Sequence, residues 1–152
     1  MKAKEYNNHL LDDGNKGIVH WVSEILWREF YRHIIYNFPK VSKNLPFIDY
    51  TKNIPWKKDA EALQKWKEGK TGIPIVDAGM REMLATGWMH NRLRMIVAMF
   101  LSKNLLTNWQ EGEKYFMENL IDGDIASNNG GWQWSASTGT DAAPYFRIMN
   151  PE

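Results

Sequence analysis

Between Ile18 and Phe38 the apolar residues fall at Ile18, Trp21, Val22, Ile25, Leu26, Phe30 and Ile34. That is the three-and-four spacing of one helix face, and Pro39 ends the run. Residues 40–56 lose the period and carry Pro46 and Pro55, which predicts an irregular connection. A polar helix is expected from about Asp59 to Glu68, stopped by Gly69. After a turn at Thr71-Gly72, "PIVDAGMREML" predicts a helix that buries Ile75, Val76, Met80 and Met83 and closes at Gly87. A further helix covers His90 to Lys103. The next begins at Thr107, where Thr107-Asn108-Trp109-Gln110 fits a capping box, and runs to about Leu120. No stretch alternates with period two and β-branched enrichment, so the fold class is all-α.

The period fails again in "NNGGWQWSASTGT", from Asn128 to Thr140. Two glycines precede two tryptophans separated only by Gln133, and the small polar residues that follow show no apolar face, so the stretch reads as a loop.

Composition narrows the function classes. The 152 residues carry 19 basic and 18 acidic side chains, a net charge of +1, so overall charge selects no partner. The absence of cysteine excludes disulfides and thiolate metal sites. The longest strongly apolar run, Met95 to Leu101, falls far short of the ~20 residues of a membrane span, and the first residues are too polar for a signal peptide. Eight tryptophans are many for this length; such rings build a core or stack on a flat ligand.

Three clusters are candidates for chemistry. Glu24, Trp27, Arg28 and Tyr31 stand at i, i+3, i+4 and i+7 and share a helix face. They form either a solvated stripe with a Glu24–Arg28 pair, or a cleft wall whose rings stack on a base while Arg28 meets phosphate. In "HNRLRMIVAM", Asn91 and Met95 lie one turn apart with Arg94 beside them; flanked by Leu93 and Met95, Arg94 either snorkels to the surface or pairs in the interior. Asp122 and Asp124 flank Gly123, but Ala126, Ser127 and Gln133 stand where a calcium loop needs Asp or Asn, Gly and Glu. A turn or helix-start role competes there with pairing to an arginine. His9, His20, His33 and His90 have no metal-ligand spacing, and no phosphate-loop, dinucleotide, nucleophile-elbow or zinc-protease motif occurs. If the chain is an enzyme, a cofactor carries the chemistry.

"WREFYRH", "TGIPIVDAGMREM", "NRLRMIVAMFLSKNLLTNWQ", "LIDGD", "NNGGWQW" and "GTDAAPYFRIMNP" together resemble the flavin-binding helical domain of the DNA photolyase/cryptochrome family. The likeness runs from about Val19 to Pro151, is close to bacterial cyclobutane-dimer photolyases, and departs at Met99, where a small residue is more usual. It implies that residues 1–152 are part of such a domain, without the antenna α/β domain, the upstream segment that grips the FAD phosphates, or the last helices. It implies a carbon–carbon lyase that uses light and FAD to split pyrimidine dimers in DNA, with an antenna pigment held elsewhere. A monomeric, cytoplasmic protein follows from the same likeness, with a cryptochrome-type photosensor or an inactive fragment as the alternatives.

The resemblance also distributes roles. Glu24 would hydrogen-bond the dimer, Trp27 and Trp134 would pack on its rings, and Met95 would line the pocket floor. Asn91 would reach both dimer and flavin, and Trp21 would line the flavin cavity. Arg94 and Asp122 would pair over the isoalloxazine, the Asp122-Gly123-Asp124 backbone and Asp124 would bind its polar edge, and Asn128 would face N5. Arg28, Arg92 and Arg147 would contact phosphates, with Tyr31 on the same DNA-binding face. Trp132, Trp109 and Trp56 would carry electrons from flavin to surface, while Trp66 and Trp88 would serve the core. These roles need Trp132 and Trp134 to point apart, which residues two apart do in a helical turn and not in a strand.

Overall fold

The computed structural model describes residue 5 and residues 13–151; His9 lies outside them. Among the described residues there are six α-helices and no β-strand. They are α1 (Lys16–Asn37), α2 (Ala60–Lys67), α3 (Pro74–Thr86), α4 (Asn91–Met99), α5 (Trp109–Asn119) and α6 (Ile125–Ser135). The connection after α1 contains two short 3-10 turns, Val41–Lys43 and Asp49–Asn53.

Local chemistry sets most helix ends. Asp59 caps α2 by accepting from the Ala62 amide at 2.9 Å, and Gly69 follows with φ 63°. Pro74 opens α3 and Gly87 closes it in the left-handed conformation, its amide donating to the Met83 carbonyl at 2.8 Å. The Asp77 carboxylate, on the first turn of α3, accepts from the Thr71 hydroxyl and from the Thr71 and Gly72 amides at 2.6–3.0 Å, which fixes the turn before the helix.

Four expectations are corrected. The capping box does not form: Asn108, not Thr107, caps α5 and accepts from the Gln110 amide. Thr107 is drawn instead into an isolated bridge with Lys57, while the Gln110 amide group reaches across to the Asn44 carbonyl. The helix through His90–Lys103 is not uniform; His90 is the cap, and after Met99 the chain widens into a π-turn, Phe100–Asn104, with the Leu105 amide on the Phe100 carbonyl at 3.0 Å. Ile75 faces outward while Val76, Met80 and Met83 are fully buried. Trp88 is 44% exposed and not part of the core, whereas Trp66 is completely buried, its indole N–H donating to the Val97 carbonyl at 3.0 Å.

The loop reading of "NNGGWQW" is corrected as well: the segment is helical, within α6, at the centre of the molecule. The core gathers Trp66, Met80, Met83, Val97, Leu101, Phe116 and Trp132. Two glycines let α6 approach its neighbours. A Cβ on Gly112 of α5 would come within 2.5 and 2.7 Å of Trp132 Cζ3 and Cζ2, and one on Gly130 would come within 2.7 Å of Tyr31 Cγ. Tyr31 therefore packs directly on α6, and α1, which has no fully buried residue, lies across it as an outer layer.

A buried polar network ties α6 to the irregular connection. Asn129 donates to Glu113 Oε1 at 3.0 Å and to the Val41 carbonyl at 3.2 Å, and Gln133 donates to Asn129 Oδ1 at 2.8 Å. Gln133 Oε1 accepts from the Phe47 amide at 2.8 Å. Burial pushes the Glu113 carboxyl above its ordinary pKa, and the Asn129 hydrogen bond only partly opposes that.

Candidate cofactor and substrate cavities

Two cavities adjoin on the α1/α4 side of α6. The first, about 150 Å³, is lined by Arg94, Asp122, Gly123, Asp124, Asn128 and Trp132 among others. The second, about 570 Å³, takes Glu24, Trp27, Arg28 and Tyr31 from α1, Trp134 from α6, and Arg147. Asn91, Met95, Ser127 and Gly131 line both, so α4 and the first turns of α6 form the wall between them.

Each wall is held by specific bonds. Arg94 does not snorkel: only 24% of its side chain is exposed, Nη2 donates to both Asp122 oxygens at 3.0 and 2.8 Å, and Nε donates to the Met89 carbonyl at 2.7 Å. Asp124 caps α6, its Oδ1 accepting from the Ser127 amide and hydroxyl at 2.9 Å each. Burial raises the Asp124 pKa, but those hydrogen bonds and the Arg32 charge more than offset it and leave the carboxyl below its ordinary value. Asn128 donates from Nδ2 to the Glu113 carbonyl at 2.9 Å, which leaves its Oδ1 as an acceptor.

In the second cavity Trp27 sits beside Tyr31, centroids 6.1 Å apart and tilted 31°, and edge-on to Phe30 at 5.6 Å. With 43% of its surface exposed it is a ring available to a flat partner. Burial first, then the Asp141 charge, raises the Tyr31 pKa, so its phenol stays protonated. Glu24 and Arg28 do not pair with each other: His20 lies 3.7 Å from Glu24, and Arg28 bonds Glu29 at 3.2 Å.

The structure thus brings Glu24, Trp27, Arg28, Tyr31, Asn91, Met95, Trp134 and Arg147 to one cavity, and Asn91, Arg94, Asp122, Gly123, Asp124 and Asn128 to the other. Trp21, 57% exposed, and Arg92 line neither. Trp132 lines the first cavity and Trp134 the second, as helical residues two apart must. Trp132 stands edge-on to Phe116 at 5.0 Å and to Trp66 at 5.9 Å; Trp109 belongs to the same cluster, with Trp56 packed against its outside.

A scan for protein families matches residues 21–152 to the FAD binding domain of DNA photolyase. The chain belongs to the DNA photolyase family. It is 63% identical over 139 residues to the deoxyribodipyrimidine photo-lyase of Escherichia coli, covering 91% of this chain and 29% of that protein. It is 54% identical over 150 residues to the Neurospora crassa photo-lyase, covering 98% and 24%. The crystal structure of a class III photolyase from Agrobacterium tumefaciens superposes with a TM-score of 0.89 at 44% identity, over 98% of this chain and 30% of that one. A cryptochrome from Synechocystis does so at 0.84 and 38%, over 98% and 30%. The chain therefore spans between a quarter and a third of the photolyases it matches. Among the described residues no helix is long and apolar enough to cross a membrane, and no group of His, Asp and Glu is placed to hold a metal ion.

Sequence reasoning missed several members of these walls. Ser127 and Gly131 carry no conspicuous chemistry, and only the helical register of α6 puts them on the wall with Asn128. Lys103 donates to the Pro144 and Arg147 carbonyls at 3.1 and 2.8 Å, holding the segment that brings Arg147 to the rim. Burial, then the Arg147 charge, lowers its pKa. The π-turn that aims this lysine has no signature in the sequence.

Proposed function

We propose that this chain is the part of a photolyase that holds FAD against a pyrimidine dimer flipped out of DNA, with light-driven splitting of the cyclobutane ring as the reaction. One observation carries the reading: a cavity lined by two tryptophans, two carboxylates and two arginines shares a wall with a cavity that holds an arginine–aspartate pair and an asparagine. Flipping a damaged base into an aromatic pocket is general to enzymes that act on bases within duplexes, photolyases included.

The first cavity fits one face of a flavin. Its Trp132 Nε1–H is buried without a partner, and Asn128 has an acceptor oxygen uncommitted beside a fixed amide nitrogen. When bound, FAD in its reduced form supplies, on excitation by blue or near-ultraviolet light, the electron that opens the dimer and then takes it back. Arg94, Asp122, Gly123 and Asp124 would hold and orient its polar edges, and Asn128 Oδ1 would accept a hydrogen bond from a protonated ring nitrogen. In the second cavity Trp27 and Trp134 stack on the lesion, Glu24 accepts from its N–H edge, and Arg28 and Arg147 meet phosphates at the rim. Met95 and Asn91 line the boundary between the two occupants and exclude water from it. Trp56, Trp109 and Trp132, with indoles that oxidise more readily than most side chains, would supply a route for an electron from a reductant at the surface to bound FAD.

The test is to incubate the protein with FAD and a dimer-containing oligonucleotide, in light and in the dark. Restoration of the undamaged strand in light alone is expected; equal restoration in the dark, or none, overturns the reading. A photosensor that signals without repair is the second reading, supported by the likeness to the Synechocystis cryptochrome. Selective binding of the damaged over the undamaged oligonucleotide excludes it. A flavin absorption band that copurifies with the chain rules out an inactive fragment.

A further inference from the structure

Gly130 and Gly131 stand side by side on α6 for opposite reasons. Gly130 is a packing glycine: any Cβ there runs into the Tyr31 ring. Gly131, turned about 100° further round the helix, has no heavy atom within 4 Å of where its Cβ would sit, apart from its own helix backbone and chain neighbours. Its φ is not in the left-handed range, so the backbone does not require glycine, and in a helix interior alanine is the favoured residue. Neither sterics within this chain nor local conformation explains a glycine here.

Its position does. Gly131 lines both cavities, one turn after Ser127 and across from Asn91 and Met95 of α4, the other three residues of the shared wall. We infer that Gly131 is a window: its missing side chain keeps open the place where the occupants of the two cavities touch. Gly131 is thus a positioning residue for the assembly of cofactor with lesion, an inference that rests on the reading of the cavities proposed above. A methyl group at the window lets either occupant bind alone, because each can draw back into its own cavity. It opposes the two together, so its effect is a coupling between ligands and not a loss of either site.

The experiment compares the wild-type protein with Gly131→Ala, Gly131→Val and the control Gly79→Ala. A Cβ at Gly79, on α3 and away from both cavities, meets Val97 and Leu93 at 3.5–3.7 Å, ordinary contact. Each protein is measured for thermal stability, for FAD affinity by flavin fluorescence, and for damaged-oligonucleotide affinity with and without FAD. Gly131→Ala is expected to melt at or above the wild-type temperature, as Gly79→Ala does, and to bind FAD alone within about threefold of wild type. With FAD bound, its affinity for the damaged oligonucleotide falls by about tenfold, and further in Gly131→Val; without FAD the fall is absent. Wild-type affinity in both FAD-loaded variants overturns the inference, as does an equal fall with and without FAD. If instead the wild-type protein binds no FAD or does not prefer the damaged oligonucleotide, the reading of the two cavities is what fails.

Discussion

Gly112→Ala tests whether Trp132 is locked in place by the core. The new Cβ would stand 2.5 and 2.7 Å from Cζ3 and Cζ2 of Trp132, with Cη2 closer still. Carbon atoms settle at about 3.5–4.0 Å, so the indole must move by roughly 1.5 Å. On its core side it has nowhere to go: Trp132 is 2% exposed and already stands edge-on against Phe116 at 5.0 Å and Trp66 at 5.9 Å, both buried, so any movement is into the first cavity. Overpacking of this kind costs about 1–3 kcal/mol, and three clashing ring atoms put it near the top of the range. Replacing a helix-interior glycine returns about 1 kcal/mol, so the net loss is about 2 kcal/mol. That corresponds to a fall in Tm of roughly 4–8 °C, or a urea midpoint lowered by about 1 M. Urea titration followed by circular dichroism measures it, with tryptophan fluorescence reporting the displaced ring. A Gly112→Ala protein as stable as wild type would show that Trp132 is free to shift, and the argument for a rigid ring beside the first cavity would fall.

Three other outcomes follow from single contacts. Asp77→Ala removes the acceptor of the Thr71 and Gly72 amides; the half-buried Thr71 amide costs about 1–3 kcal/mol, while the exposed Gly72 amide turns to water. Burial raises the Asp77 pKa, but the Thr71 and Gly72 hydrogen bonds and the Arg81 charge outweigh it and hold the pKa below the ordinary aspartate value. Its stabilisation is therefore complete above that ordinary value and is lost as pH falls toward the folded one. The wild-type advantage over Asp77→Ala in denaturation should shrink in that acid window, and a pH-independent difference refutes the assignment. Trp27→Ala removes the exposed ring of the second cavity and should weaken binding of a dimer-containing oligonucleotide by about 1–3 kcal/mol in a gel-shift titration; unchanged affinity returns Trp27 to the solvated stripe. Trp56→Phe should slow photoreduction of oxidised FAD far more than it slows repair by pre-reduced protein. Equal loss of both, read by flavin absorbance and by repair, removes Trp56 from the electron route.

What the sequence by itself determined is local. Asp59, Pro74, Gly87 and Asp124 mark helix ends because a carboxylate, a fixed φ or a missing Cβ acts within a turn of its own position. The helix periodicity was legible for the same reason, and the family signatures named the candidate site residues without placing them. Choices between equivalent local chemistries needed the tertiary structure. Trp66 and Trp88 were both candidates for the core, but only Trp66 meets a core carbonyl, that of Val97, for its N–H. Thr107 and Asn108 could each cap α5, and the pairing of Thr107 with Lys57 decided for Asn108. Arg94 could face solvent or the interior, and Asp122, 28 residues away, fixed it. Trp132 and Trp134 face different cavities only because "NNGGWQW" is helical, and its helix is held by packing against α1 and α5 through Gly130 and Gly112 rather than by any apolar stripe of its own.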